Sequence, residues 1–420
     1  GVDNNRPSVY DVRQYTIDVR FDRPNKKVIG RTTIEFSPVK DNITQVEFDA
    51  VGIAFSSVTM QPSARPLQFK LAADKIAVTL DRPYNAGEVV TLRFEHSSVP
   101  KKGVYFVEPN IVNGQTVHDA QIWTQGEPDE ARHWFPSFDF PSDKAVTNQF
   151  ITAESGESVI GNGKLIEVKD NHDGTVTHHF EMDVPHSTYL ISFVIGKYAK
   201  IEDKYKDIPL GFYVYPKDES LVPLAYGKTK RMFEIFEQVT KIPFPFNKYD
   251  QTVVGKFQFG GMENVTATTM ADTEIAAARV DSLRPLVEDL VSHELAHSWF
   301  GNMVTCRNWA ELWLNEGFAS YMEAVFRERE YGRENYIEKI RTDADFFLIT
   351  ELGGVQPIGL YNRKAATSKD LFSMPTVTYN KGSAVLHTLR EEVGDELFWK
   401  AVNAYLTKHR FGSVETKDLK

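Results

Sequence analysis

The stretch VSHELAHSWFGN, residues 291–302, decides how this chain is interpreted, because it places two histidines and a glutamate within a helical pattern. Residues four positions apart lie on one face of a helix, so His293 and His297 can both reach one metal ion through imidazole nitrogens. Glu294 projects beside that metal, where it suits a general base acting on a metal-activated water. Two core histidines satisfied by hydrogen bonds are the alternative interpretation.

A second helical pattern, ELWLNEGFASYMEAV from Glu311, offers a third ligand in Glu316. The intervening residues allow the first helix to end at Gly301 and the chain to return beside it. Two imidazoles, one carboxylate and one open position are typical of catalytic zinc, whereas hard divalent cations need more oxygen ligands. We therefore expect one zinc ion per chain. Glu323 could accept a hydrogen bond from a ligating imidazole, or could be an exposed charge.

Composition narrows the class of protein. The chain has 420 residues, which favours two or three domains, and its 48 Lys and Arg against 58 Asp and Glu argue against nucleic-acid binding. A single cysteine, Cys306, excludes an intrachain disulfide. The sequence contains no apolar run long enough to predict a membrane span.

Two regions with different periodicity are visible along the chain. Residues 1–200 alternate apolar and polar side chains, as in Tyr15, Ile17 and Val19, which predicts an N-terminal β-rich domain of antiparallel sheets. Residues 201–420 carry mainly helical spacing. We therefore predict a multidomain α and β protein in which a β domain packs closely on a mainly α-helical one.

Further motifs extend this interpretation to a family. HELAH, the spacing to NEGF, GGMEN at 260–264, VTYNKG at 377–382 and TQGEPDEARHWFPSFDFP at 124–141 resemble the zinc aminopeptidases of the aminopeptidase N family. The resemblance implies a saddle-like β domain followed by a thermolysin-like catalytic domain. It also implies a C-terminal helical domain that these residues lack, so we expect the chain to be a fragment of a longer protein.

The resemblance implies hydrolysis of the N-terminal residue from peptides with a free N-terminus. Glu294 would be the general base and Tyr379 would donate a hydrogen bond to the oxyanion of the tetrahedral intermediate. Glu127 and Glu263 would bind the α-ammonium group, and Phe259 would form a wall of the first side-chain pocket. The predicted substrate site comprises Gln125, Glu127, Phe259, Gly260, Gly261, Met262 and Glu263.

One alternative to this function is another enzyme, and a second belongs to a different class of protein. The second glycine of GGMEN also occurs in a branch of the family that hydrolyses a leukotriene epoxide, but that branch has Gln where this chain has Glu127, and Asp near the position of Leu371. The second alternative is a catalytically inactive scaffold of the same fold, which would be expected to lose metal ligands.

The compartment and the oligomeric state are not determined by the sequence. Asn264-Val265-Thr266 is formally an N-glycosylation sequon, and a glycan there would block the proposed amine site. We therefore favour a cytoplasmic or exported bacterial protein over an N-glycosylated secretory one.

Overall fold

The computed structural model describes residues 4–353, 359–363, 365 and 368–419. The N-terminal part is built from strands because its apolar residues alternate, so that one face of each strand is buried. Its strands are β1 Tyr10–Asp22, β2 Lys27–Pro38, β3 Ile43–Asp49, β4 Ile53–Met60, β5 Arg65–Pro66, β6 Phe69–Leu71, β7 Lys75–Tyr84, β8 Val90–Ser98, β9 Val104–Val107, β10 Asn110–Val112, β11 Gln115–His118, β12 Gln121–Thr124, β13 Lys144–Glu154, β14 Ser158–Gly161, β15 Lys164–Asp170, β16 Thr175–Ser187 and β17 Phe193–Gly196.

These strands form one large sheet and several smaller ones. The large sheet has the order β15-β16-β13-β1-β2-β8-β4-β5, and a four-stranded sheet has the order β14-β17-β12-β9. Within the large sheet the pairs are antiparallel except for β1 and β13, which run parallel from Gln14 opposite Val146 to Val19 opposite Ile151. The β12 strand matters for function because it leads directly into residues 125–127.

The C-terminal part mixes a sheet with helices. Its strands are β18 Ala199–Tyr205, β19 Ile208–Val214, β20 Tyr249–Val254, β21 Gly261–Met262, β22 Ala267–Ala271, β23 Thr305–Cys306 and β24 Ser413–Val414. Its helices are α1 Val222–Tyr226, α2 Thr229–Thr240, α3 Asp272–Ala277, α4 Arg284–Ala296, α5 Trp313–Tyr331, α6 Arg333–Leu352, α7 Ser368–Leu371, α8 Gly382–Val393 and α9 Asp395–Lys408.

A β-rich N-terminal part followed by a mainly helical part confirms the predicted fold class. The sequence interpretation missed the five-stranded sheet of the second part, which has the order β18-β19-β20-β22-β21. The apolar stretch HSTYLISFVIGKY, residues 186–198, predicts one last buried strand, and this prediction is wrong. There β16 ends at Ser187, a 3₁₀ turn follows at Thr188–Leu190, and β17 begins at Phe193.

Two large apolar cores correspond to the two parts of the chain. One core lies among β strands and includes Tyr15, Phe36 and Phe94, while the other surrounds α2, α4 and α5 and includes Phe236 and Trp299. Among the described residues, no helix has the length and apolar character needed to cross a bilayer.

Candidate metal centre and adjoining cleft

Helices α4 and α5 position the predicted metal ligands. His293 lies in the last turn of α4, and His297 is the residue that caps its C-terminus, so the helix ends within the motif and not at Gly301 as the sequence predicted. Glu316 lies in the first turn of α5. All three side chains are buried, since they retain 7%, 1% and 2% of their surface, respectively.

The three side chains converge through one atom each. The Nε2 atom of His293 lies 3.0 Å from Oε2 of Glu316 and 3.1 Å from Nε2 of His297. Nε2 of His297 lies 3.2 Å from the same carboxylate oxygen. A tetrahedral zinc with ligands at about 2.0–2.1 Å requires ligand atoms to be about 3.3 Å apart, so the observed spacing fits such an ion.

The other ring nitrogen of each histidine already has a partner. Nδ1 of His293 donates to Oε1 of Glu323 at 2.7 Å, and Nδ1 of His297 donates to the carbonyl oxygen of Phe300 at 2.9 Å. When the rings are neutral, these bonds place the proton on Nδ1 and leave a lone pair on each Nε2 atom. Glu323 is therefore a partner of His293 and not an exposed charge, which decides between the two possibilities left open by the sequence.

Electrostatics also favour a cation between these side chains. Burial lowers the pKa of His297, but the carboxylates of Glu263 and Glu316 raise it to about 9. Burial raises the pKa of Glu316, but the two histidines lower it to about 2. If both Nε2 atoms carried protons, two N–H groups would face each other at 3.1 Å. A metal ion would instead accept one lone pair from each Nε2 atom and one from the Glu316 carboxylate.

Two other groups of donors in the described residues are weaker candidates for a metal. One joins Glu263 and Glu294 to His297, and the other joins Glu127 and Glu263 to Glu316. His297 approaches Glu263 through Nδ1, at 3.9 Å, and that nitrogen is already bonded to a backbone carbonyl. The second group has only carboxylates and lacks the imidazole ligands that zinc favours.

A cavity of about 280 Å³ adjoins the three predicted metal ligands. Every residue that the sequence predicted for metal binding, catalysis or substrate binding lines it, namely Gln125, Glu127, Phe259, Gly260, Gly261, Met262, Glu263, His293, Glu294, His297, Glu316 and Tyr379. Three further residues also line the cavity but were not predicted to do so, namely Leu290, Glu323 and Phe372. The position of Leu290, one helical turn before His293, was a usable signal, whereas Phe372 carries none.

Several buried oxygens of this cavity have no hydrogen-bond partner among the residues that the structure describes. They are Oε1 of Glu127, Oε1 of Glu263, Oε2 of Glu294 and Oε1 of Gln125. Burial, followed by the charge of Glu263, raises the pKa of Glu127 well above its usual value. Buried acceptors without partners are unfavourable, so this wall of the cavity is suited to a ligand that carries hydrogen-bond donors and positive charge.

The glycine pair of GGMEN brings the backbone close to the side chains of Glu294 and Leu290. Strand β21, which contains Gly261, is an edge strand of its sheet and pairs on one side with β22. A Cβ atom at Gly261 would lie 2.3 Å from Oε1 of Glu294, and one at Gly260 would lie 3.2 Å from the side chain of Leu290. Small residues therefore leave room for Glu294 beside an edge that can accept another strand.

Tyr379 reaches the cavity from a π-helical segment, Thr376–Lys381. Its ring lies nearly parallel to that of His293, with ring centroids 5.9 Å apart. The segment leads into α8 at Gly382, which contacts Gly317 so closely that a Cβ on Gly382 would lie 2.8 Å from the Cα atom of Gly317. This contact joins the Tyr379 segment to the helix that carries Glu316.

The fold and the site define a class of protein, and comparison with protein families identifies it. The model for the peptidase M1 N-terminal domain matches residues 7–190, and the model for the peptidase family M1 domain matches residues 224–420. The chain therefore belongs to peptidase family M1.

Individual relatives agree with this assignment. Aminopeptidase N of Streptomyces lividans is 32% identical over 71% of this chain and 36% of its own length, and endoplasmic reticulum aminopeptidase 1 of Homo sapiens is 31% identical over 70% and 32%. Aminopeptidase 2 of Candida albicans is 28% identical over 99% of this chain and 45% of its own length. In these alignments the chain spans between about a third and just under half of each relative.

The fold also matches a solved structure. The crystal structure of an M1 zinc metallopeptidase from Deinococcus radiodurans has a TM-score of 0.79 and covers 99% of this chain and 90% of its own. At 23% identity this similarity concerns the fold.

Proposed function

We propose that the chain is a zinc-dependent aminopeptidase that removes the N-terminal residue of peptides. The observation that carries the proposal is the convergence of His293, His297 and Glu316 on one point, in a cavity whose other wall holds Glu127 and Glu263 with unpartnered oxygens. Membership of peptidase family M1, and relatives named as aminopeptidases, support it.

The residues that would hold one zinc ion are His293, His297 and Glu316, with Glu323 fixing the orientation of the first imidazole. When bound, zinc supplies Lewis acidity, which polarises a carbonyl group and makes a water molecule acidic near neutral pH. The donor set fits this ion because it combines two neutral imidazoles with one carboxylate.

The remaining chemistry belongs to Glu294 and Tyr379. Glu294 accepts a proton from the attacking water and then passes it to the leaving amine, and its unpartnered Oε2 leaves an acceptor available for that transfer. Tyr379 donates its phenolic hydrogen to the oxyanion that develops on the scissile carbonyl. Both side chains line the cavity beside the metal ligands, as these roles require.

Glu127 and Glu263 make the enzyme an exopeptidase. An α-ammonium group provides the charge and the donors that their buried oxygens lack, so a free N-terminus binds at this wall. The substrate backbone pairs with the exposed edge of β21, which aligns the first peptide bond with the metal site. On this proposal residues 1–200 form the domain that contributes Gln125 and Glu127, and residues 201–420 form the catalytic domain.

Hydrolysis of a panel of aminoacyl-anilides, each compared with its N-acetylated form, tests the assignment. We expect activity on the free amines and a loss of at least about 100-fold on the blocked substrates, because a buried carboxylate pair would lose its charged partner. Equal rates on both would refute the roles of Glu127 and Glu263.

The variant Glu294→Gln separates chemistry from metal binding. It keeps the shape of the side chain but cannot accept the proton, so it should retain zinc and lose about 10²- to 10⁴-fold in kcat. Full activity would show that Glu294 is not the base. Metal analysis of the unaltered protein also addresses the scaffold alternative, which predicts no stoichiometric zinc.

A further inference from the structure

A chain of buried polar contacts extends from His293 away from the cavity. Glu323 accepts from Nδ1 of His293 through Oε1, and its second oxygen, Oε2, lies 2.9 Å from Nζ of Lys339. Lys339 is on α6 and retains only 8% of its surface. The metal ligand is therefore linked through Glu323 to a buried cation on another helix.

The same cation is shared with Asp343, one turn further along α6. Oδ1 of Asp343 accepts from Nζ of Lys339 at 2.8 Å and from Nδ2 of Asn380 at 2.9 Å. Oδ2 accepts from the hydroxyl of Ser383 at 2.9 Å. Asp343 is 1% exposed, so these three donors replace the water that a carboxylate would otherwise bind.

Two of those donors lie in or just after the segment that carries the proposed oxyanion donor. Asn380 directly follows Tyr379 in the π-helical segment, and Ser383 is the second residue of α8. Both hydrogen bonds hold this part of the backbone against α6. One carboxylate thus contacts the Tyr379 segment on one side and, through Lys339 and Glu323, the ligand His293 on the other.

We propose that Asp343 is a positioning residue that couples the placement of Tyr379 to the orientation of His293. It acts through Asn380 and Ser383 on one side and through Lys339 on the other. This inference rests on the proposed function for the role of Tyr379, but the network itself does not. A residue that is merely structural would lower stability without acting selectively on Tyr379 or on metal affinity.

Loss of the charge at Asp343 has different consequences for the two sides. Lys339 would then pair with Glu323 alone, which draws the negative charge of Glu323 away from His293 and weakens that imidazole as a ligand. Asn380 and Ser383 would lose a charged acceptor, which is a stronger partner than a neutral one, so the segment around Tyr379 would be held less firmly.

The test uses Asp343→Asn in the whole chain, with Asp345→Asn as a matched control, because Asp345 is exposed on the same helix. Zinc affinity is measured by competition with a chelator, and amide hydrogen exchange is measured over residues 376–383. Partners of metal ligands change affinity by about 10- to 100-fold. For a residue two contacts further away we expect about three- to tenfold weaker binding, together with faster exchange, and no change in the control.

Kinetics supply the selective readout. We expect Asp343→Asn to lower kcat at least about tenfold with KM within about twofold, since it displaces a donor used in the transition state. The same substitution in a Tyr379→Phe background should have little further effect on kcat, because the group it positions is already absent. Additive effects of the two substitutions would overturn the proposal.

The measurements separate this proposal from the proposed function. If the unaltered protein binds zinc but cleaves no peptide, the function fails, while zinc affinity and hydrogen exchange still decide the coupling. Unchanged zinc affinity and unchanged hydrogen exchange in Asp343→Asn would overturn the proposed coupling. If that variant does not fold, Ser383→Ala removes one bond on the Tyr379 side only. It should speed exchange over residues 376–383 and leave zinc affinity unchanged, and wild-type exchange would overturn the proposal.

Discussion

Replacing Gly382 by alanine should reduce turnover much more than stability. Gly382 starts α8 immediately after the segment that carries Tyr379, and its Cβ would lie 2.8 Å from the Cα atom of Gly317. Gly317 follows Glu316, the proposed metal ligand, in α5. The obstructing atom belongs to the backbone, so no rotation of a side chain can relieve the contact.

The magnitude follows from two opposing effects. Gly382 has helical dihedral angles, φ −56° and ψ −47°, so alanine meets no backbone strain and gains about 0.5–1 kcal/mol in helix propensity. Overpacking of a tight contact costs about 1–3 kcal/mol. The free energy of unfolding should therefore fall by about 0–2.5 kcal/mol.

The same contact has a larger effect on the geometry of the site. Carbon atoms pack at about 3.5–4.0 Å, so α5 and the start of α8 must separate by about 1 Å to admit the methyl group. This displacement moves Tyr379 relative to the metal ligands. Because a shift of about 1 Å in a positioned group can cost about 100-fold in rate, we expect kcat to fall by about 10- to 100-fold.

The assay measures kcat on a free aminoacyl-anilide, zinc content, and unfolding by denaturant for the wild type and Gly382→Ala. Gly359→Ala is the control, because a Cβ there meets no atom of the described residues within 4 Å. It should match the wild type in kcat and zinc content. A Gly382→Ala variant with lowered stability and wild-type kcat would refute the claim that this contact places Tyr379.

Three other predictions address separate features of the molecule. Tyr379→Phe should lower kcat by about 10²- to 10³-fold with zinc content unchanged, and an unaffected kcat would assign the oxyanion to another donor. Gly261→Ala places a Cβ 2.3 Å from Oε1 of Glu294, so we expect about a tenfold lower kcat, measured on the same substrate; wild-type kcat would show that the carboxylate moves aside without loss. Burial, with a smaller contribution from Asp11, raises the pKa of the Asp143 carboxyl to about 8. The protonated carboxyl therefore contributes stability in acid, and this contribution, on the order of a few kcal/mol, is lost as pH rises towards about 8. Between pH 5 and pH 8 the free energy of unfolding, measured with denaturant, should fall less for Asp143→Asn than for the wild type. Equal falls in the two proteins would contradict the prediction.

The helical period explains why the sequence located much of the site. Two histidines four residues apart have a fixed relation within one helix, and a carboxylate early in the next helix needs only a short connection to meet them. The structure brings His293, His297 and Glu316 together as this reasoning expects, although their roles stay proposals. Gln125 and Glu127, far away in the chain, were found only through the resemblance of their motif.

Features that depend on packing between distant elements carried no such signal. Strand β21 has two residues, and the buried strands β20 and β22 lack the alternation that identifies a strand with one exposed face. Lys339 and Asp343 have the spacing of an ordinary surface pair on a helix, so nothing local distinguishes them from solvated charges. Only the packing of α6 against α5 and the Tyr379 segment places them in a buried network.

The selectivity proposed for free N-termini depends on how the two parts of the chain meet. The side-chain oxygen of Gln121 accepts from the backbone N–H of Gly255 at 2.9 Å, and the indole of Trp123 donates to the carbonyl oxygen of the same glycine at 3.2 Å. Gln121 and Trp123 belong to β12, which leads to Glu127, whereas Gly255 follows β20 and leads to Glu263. These bonds hold Glu127 and Glu263 on one wall of the cavity. The proposed binding of the amine therefore requires both parts of the chain.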